Sequence, residues 1–149
     1  MALLSLLVYS FAGSIVWVFN VEAAAVVAGA SGSWHPLLVG ATCAVGQALG
    51  YTLLYFAGEV VFRHWRWGQR KVEWTRRRYG DRLRTGFYGL TFTAALAGLP
   101  PLTAMAALAG GLPVRYLPMI AILLPLRIIR FTVLAAAGEG LLAWWRGLF

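Results

Sequence analysis

Charge is scarce in this chain. Asp, Glu, Lys and Arg together make up 12% of its 149 residues, about half the share usual in soluble domains. Cysteine is nearly absent: the single Cys43 excludes a disulfide framework and a thiolate zinc site. The two histidines, His35 and His64, stand near the ends of apolar segments without a matching ligand set, so no metal is expected. Carboxylates number five. No nucleophile–base set, acid/base pair or phosphate-binding loop accompanies them, so neither an enzyme nor a cofactor is expected. The opening "MALLSLLVYSFAGS" lacks the basic start of a secretory signal and is not read as one.

What remains is apolar. Hydrophobic residues make up 60% of the chain and its mean hydropathy is +0.72. A soluble domain of this length cannot hide that much apolar surface, so lipid must be the solvent for much of it. The +8 net charge is local, because nine of the thirteen basic residues lie between Arg63 and Arg84. This segment, "RHWRWGQRKVEWTRRRYGDRLR", separates two hydrophobic blocks, and positive-inside bias puts it in the cytoplasm. Arg63, Arg66, Arg76, Arg77 and Arg78, interleaved with Trp65, Trp67 and Trp74, are expected at the membrane surface on anionic lipid. No recognisable nucleic-acid module lies behind these charges, and none is expected as a partner.

The apolar blocks repeat. Ala2–Phe19 is broken by "NVE" (Asn20–Glu22), continues to Ala30, and is followed by a complete span, Leu37–Phe62. After the basic stretch, Phe87–Leu112 is broken by Pro100 and Pro101, and a second long block, Tyr116–Trp145, follows. Most pieces flanking each break are too short to cross a bilayer, although the 18 residues Ala2–Phe19 reach the lower limit. Paired interrupted segments at corresponding places in two halves point to a transport-type site. The pattern predicts an all-α polytopic membrane protein with two inverted re-entrant helical hairpins, each followed by a transmembrane helix. One membrane domain covers 1–149: hairpin and span at 1–62, a basic amphipathic connection at 63–86, and hairpin and span at 87–149. The hairpin tips, Asn20, Glu22, Pro100 and Pro101, should lie deep in the membrane, enclosed by protein.

Polar residues inside the apolar blocks are the candidate site. Arg127 and Arg130 lie three apart in "LPLRIIRF", on one helical face and far from either end of their block. Arginine at membrane depth costs at least about 2.5–3.5 kcal/mol, so both should face protein or water. Of the carboxylates, Glu22 is best placed to meet them. Gln47, polar at mid-span, should hydrogen-bond a hairpin backbone opened by Asn20 or Pro100. Gly46 and Gly50 form a G-x-x-x-G pair for close helix packing, more suited to the hairpins than to a dimer. A planar guanidinium fork suits a lipid phosphate, which Arg127, Arg130, Glu22 and Gln47 would bind.

In order along the chain, "NVEAAAVVAG", "VGQALGYTLLYFAG", "RRRYG", "LPPLTAMAALAGG" and "RIIRF" resemble the VTT (DedA-like) membrane superfamily, particularly its short YqaA-like branch. The resemblance covers about residues 10 to 140. It implies paired re-entrant loops and movement of lipids between leaflets, either phospholipid or the polyprenyl-phosphate carrier of the bacterial envelope. The sequence departs from the family in three places. No proline precedes the first acidic tip, Gln47 stands where an ionisable residue is expected, and "GLTFTAALAG" carries no arginine. The departures favour energy-independent movement over proton-driven transport.

The expectation is therefore a lipid transporter or scramblase of a bacterial inner membrane. Two alternatives are an accessory subunit, as a homodimer or within a larger membrane complex, and a small-solute exporter. The hairpin reading predicts that cysteines placed at Tyr88 and Leu112, in a chain lacking Cys43, label from the cytoplasmic face, and that one at Thr103 resists labelling. Labelling of positions 88 and 112 from opposite faces would mean that the segment crosses.

Overall fold

The computed structural model describes residues 3–16, 19–98, 101–112 and 114–148. Between residues 66 and 81, side chains are described only at Arg70, Glu73 and Arg78. All regular structure among the described residues is helical: α1 (Leu3–Ile15), α2 (Val21–Ala30), α3 (Pro36–His64), α4 (Arg66–Ala97), α5 (Leu102–Gly111) and α6 (Tyr116–Leu148). Two helices are long and apolar enough to cross a membrane, Pro36–His64 and Tyr116–Arg146. At 1.5 Å per residue they reach roughly 44 and 47 Å, well past a hydrocarbon core of about 30 Å. Helix α1, with 13 residues, is only about 20 Å long and does not reach across such a core by itself.

Local chemistry sets the breaks. Asn20 lies in extended conformation before α2, and its Oδ1 accepts the Ala23 N–H at 3.0 Å. Such a cap is worth about 1 kcal/mol. Glu22 follows in the first turn, where the helix dipole favours a carboxylate. Helix α4 ends on Gly98, whose φ of 83° is left-handed and so suits a residue without Cβ. Pro101 precedes α5 with φ −60° instead of interrupting it, and α3 opens on Pro36, a first-turn position that needs no N–H.

The basic stretch differs from expectation. It is not a separate connection at 63–86 but the first two-thirds of α4, one 32-residue helix that continues to Ala97. No proline or helix-ending glycine turn interrupts it before Gly98, so the hydrogen-bond ladder carries through the change from charged to apolar sequence. The packing also divides differently from the sequential halves. One compact unit contains Met1–Leu49 and Leu124–Phe149; the other is Gly50–Leu123. The long helices α3 and α6 each give one end to each unit.

In the first unit, Leu6, Val21, Ala25, Ala28, Val39, Cys43, Ala44, Phe131 and Ala135 form the core. Backbones meet closely there. A Cβ on Gly29 of α2 would overlap the Ala135 carbonyl of α6, and one on Gly138 of α6 would overlap the Val26 carbonyl of α2. The pairing order makes this crossing antiparallel. Gly46 of α3 sits against the Leu7 carbonyl and Ser10 of α1, and Gly40 against Thr132 of α6. Gly50, the other half of the expected pair, is buried and belongs to the second unit.

The second unit repeats the device. A Cβ on Gly110 of α5 would overlap the Tyr55 carbonyl of α3, and one on Gly58 would overlap the Ala107 carbonyl. This crossing is also antiparallel. The turn into α6 is held by side chains. Tyr55 Oη donates to the Val114 carbonyl at 2.9 Å, Thr52 and Tyr116 share a hydroxyl hydrogen bond at 2.8 Å, and the Arg115 N–H donates to Tyr88 Oη at 3.2 Å.

Burial follows the same internal repeat. Leu6, Ser10 and Ser14 of α1 are buried, as are Phe87, Thr91 and Ala95 of α4 at the same spacing. Val21, Ala25 and Ala28 of α2 correspond to Leu102, Ala106 and Ala109 of α5. Val39, Cys43, Gln47 and Tyr51 of α3 correspond to Met119, Leu123, Arg127 and Phe131 of α6. The repeat visible in hydropathy is thus also a repeat of which positions pack. Replacing Gly29 or Gly58 by Val should force backbones apart at a cost of about 1–3 kcal/mol or more. Gly140→Ala, which meets open space, should be neutral. Thermal unfolding of the detergent-solubilised protein measures both.

Candidate functional site

The first unit contains the polar residues singled out in the sequence. Arg130 of α6 reaches Glu22 in the first turn of α2: its Nη2 lies 2.6 Å from Glu22 Oε1 and its Nε 3.1 Å from the same oxygen. The fork closes on one carboxylate oxygen. The pair is partly open, with the arginine side chain 19% exposed and the glutamate 44%. Charge-assisted bonds of this length are strong, but exposure of the carboxylate tempers their contribution.

Arg127 occupies a different environment. One turn earlier on α6 it is buried, with 5% of its surface exposed, and its guanidinium lies over the Phe131 ring, 5.6 Å from the centroid. An aromatic face stabilises a desolvated cation by about 2 kcal/mol. The two arginines therefore do not act as a matched pair: Arg130 meets the carboxylate and Arg127 packs inward.

Gln47 on α3 is equally buried, at 5% exposed. Among the described residues its Oε1 meets no hydrogen-bond donor. The expected bond to a hairpin backbone opened at Asn20 is not made by this oxygen, and the Asn20 Oδ1 instead caps α2. A local bond three residues away needs no tertiary fit and takes precedence. Pro100 lies outside the described residues. Pro101 and Asn20 are exposed, so the turns are not enclosed by the chain as expected. The short helices are held along their lengths by the glycine crossings, which leaves their connecting turns at the edge of each unit.

At the surface, Arg63 is exposed and pairs with Glu59 one turn back at 3.5 Å, and Trp65 is exposed beside it. Arg78 is exposed on α4. The side chains of Arg66, Trp67, Arg76 and Arg77 lie outside the described residues. Trp34 before α3, Trp65 after it, and Trp144 and Trp145 near the end of α6 are all exposed. Tryptophan at the ends of long apolar helices suits the membrane–water boundary. Among the described residues no cluster of His, Cys, Asp and Glu is arranged to hold a metal ion.

Sequence reasoning missed the crossing sites. The four glycines of the two antiparallel crossings, Gly29, Gly58, Gly110 and Gly138, each follow an alanine, but so do Gly13 and Gly98, so the Ala-Gly step alone did not single them out. Comparison of the chain with protein-family models, curated proteins and solved structures gave no match. The site therefore stands on its own geometry. A double-mutant cycle tests the pairing. Glu22→Ala and Arg130→Ala should couple by about 1–2 kcal/mol in unfolding free energy, whereas Glu22→Ala and Arg127→Ala should add within about 0.5 kcal/mol.

Proposed function

We propose that this membrane protein moves lipids between leaflets, binding the headgroup phosphate at Arg130 beside Glu22. The observation that carries the reading is the partly open Arg130–Glu22 pair at the first turn of α2. A phosphate offers the guanidinium fork the same acceptor geometry as the carboxylate, with more oxygens. When lipid is absent, Glu22 balances the arginine. When a phosphate takes the fork, the α2 amino end and the buried Arg127 keep the surroundings electropositive. Gln47 Oε1 supplies an acceptor for a headgroup hydroxyl or amine. The same phosphate chemistry serves a phospholipid and a polyprenyl phosphate.

In this reading α3 and α6 cross the membrane, and α1–α2 and α4–α5 are re-entrant hairpins entering from opposite faces as an inverted repeat. Their support is the length of the limbs and the repeated burial pattern. Exposed turns at membrane depth need water, since irregular backbone is tolerated there only beside protein or a wet cavity. A hydrated crevice is what a passing headgroup requires. The basic stretch places its end in the cytoplasm, and the resemblance to the VTT superfamily argues for a bacterial inner membrane.

Liposomes carrying fluorescent lipid in both leaflets, treated with a membrane-impermeant quencher, test the proposal. Wild type should drive quenching beyond the outer-leaflet half, and Arg130→Ala and Arg127→Ala should return it to the plateau of empty vesicles. If Arg130→Ala lowers only the unfolding temperature and leaves quenching unchanged, the pair is a lock between α2 and α6. In that case the protein is better read as a structural subunit.

A further inference from the structure

The Arg130–Glu22 contact engages only half of the carboxylate. Arg130 Nη2 and Nε lie 2.6 and 3.1 Å from the same oxygen, Glu22 Oε1. Among the described residues no donor reaches Glu22 Oε2. The Glu22 side chain is 44% exposed, so a ligand can approach it. An ionised carboxylate only accepts hydrogen bonds, so Glu22 offers nothing to a phosphate oxygen and repels its charge. When a phosphate takes the Arg130 fork, Glu22 loses its bonded cation and stands beside a second anion. A ligand that brings its own cation removes that conflict.

We infer that Glu22 selects the headgroup: its carboxylate receives a primary ammonium while Arg130 holds the phosphate, which makes a zwitterionic phosphoethanolamine group the ligand. The inference rests on the phosphate reading of Arg130 and supplies the partner that Glu22 needs. The single pair Arg130–Glu22 is exchanged for two, Arg130 with phosphate and Glu22 with ammonium, and neither side chain is left uncompensated. Ethanolamine carries its ammonium two methylenes from the phosphate. Arg130 and Glu22 are themselves in contact, so one headgroup spans both. A primary ammonium has three N–H donors, which suit a carboxylate oxygen that lacks one. Choline has the same charge and no N–H. Glycerol has hydroxyls and no charge, and neutral hydrogen bonds are about half as strong as charge-assisted ones. Serine adds a carboxylate that Glu22 repels.

Native mass spectrometry of the full chain in detergent, offered equal amounts of lipids with matched acyl chains, tests the inference. Wild type should retain phosphatidylethanolamine at least about fivefold over phosphatidylcholine, with the N-methyl and N,N-dimethyl lipids between them in order of remaining N–H groups. Phosphatidylglycerol and phosphatidylserine should be retained less than phosphatidylethanolamine. Glu22→Gln should bring phosphatidylethanolamine down to the choline level, and Glu22→Asp should keep most of the preference. Arg130→Ala should lower every lipid together, and Gln47→Leu should lower retention without changing the ratio. Equal retention across the methylation series in wild type, lost in Arg130→Ala, overturns the inference and leaves the phosphate reading standing, whether or not a Glu22 variant folds. Retention that Arg130→Ala does not change overturns both. A preference that disappears in Gln47→Leu and survives in Glu22→Gln assigns the ammonium to Gln47 and overturns the role of Glu22. Competition by soluble glycerophosphoethanolamine as strong as that by the lipid supports the phosphate–ammonium chemistry and makes a free ester its source.

Discussion

Close antiparallel approach of a short helix to a long one is the constraint on which the rest of the structure depends. In lipid, helices gain little by hiding apolar side chains from one another, because the solvent is equally apolar. Association rests on dispersion contact between backbones, which falls steeply with distance. Gly29 with Gly138, and Gly58 with Gly110, remove the side chains that would hold the helices apart. The small residues around them, Ala25, Ala28, Ala106 and Ala109, extend the contact. A ten-residue helix is marginal in isolation, and these crossings give α2 and α5 a fixed position.

That position creates the polar site. The crossing of α2 on α6 sets the first turn of α2, with its Asn20 cap and Glu22, within reach of Arg130. The same packing buries Arg127 against Phe131 in the core. By the burial repeat, Thr103 of α5 corresponds to Glu22 of α2, and Gly50 and Gln47 of α3 correspond to Arg130 and Arg127 of α6. The repeat therefore conserves the packing and varies the charge. The Arg130–Glu22 pair belongs to the first unit, and both units keep the glycine crossing.

Much of this was legible in the sequence. The two long apolar blocks appear as α3 and α6 because their length and hydropathy exceed what a bilayer needs. The breaks read at Asn20 and Pro101 are where new helices begin: each lies in extended conformation at the N-cap, of α2 and α5, and α4 has already ended on the left-handed Gly98. Glu22 was identifiable as the arginine partner by elimination among few carboxylates, and it meets Arg130. Other features were not legible. The basic run read as a connection, although nothing in it stops a helix and α4 continues through it. The break at Asn20 read as backbone left open for Gln47, but Asn20 Oδ1 accepts the Ala23 N–H three residues on and caps α2. Pro101 read as enclosed, yet it is exposed because the packing holds the limbs and leaves the turn free.

By itself the sequence determined the helical class, two helices long and apolar enough to cross a membrane, the position of the breaks and the presence of arginines inside an apolar block. These depend on composition, on hydrogen-bond capacity along the backbone and on the cost of moving charge out of water, all of which are local quantities. Only the tertiary structure decided which glycine meets which carbonyl, which arginine meets Glu22, and that Gln47 Oε1 is among the buried polar atoms that meet no hydrogen-bond partner among the described residues. Those outcomes depend on how closely two backbones approach and in what register. That register is fixed by contacts between residues roughly fifty to a hundred positions apart, such as Tyr55 with Gly110 and Gly29 with Ala135.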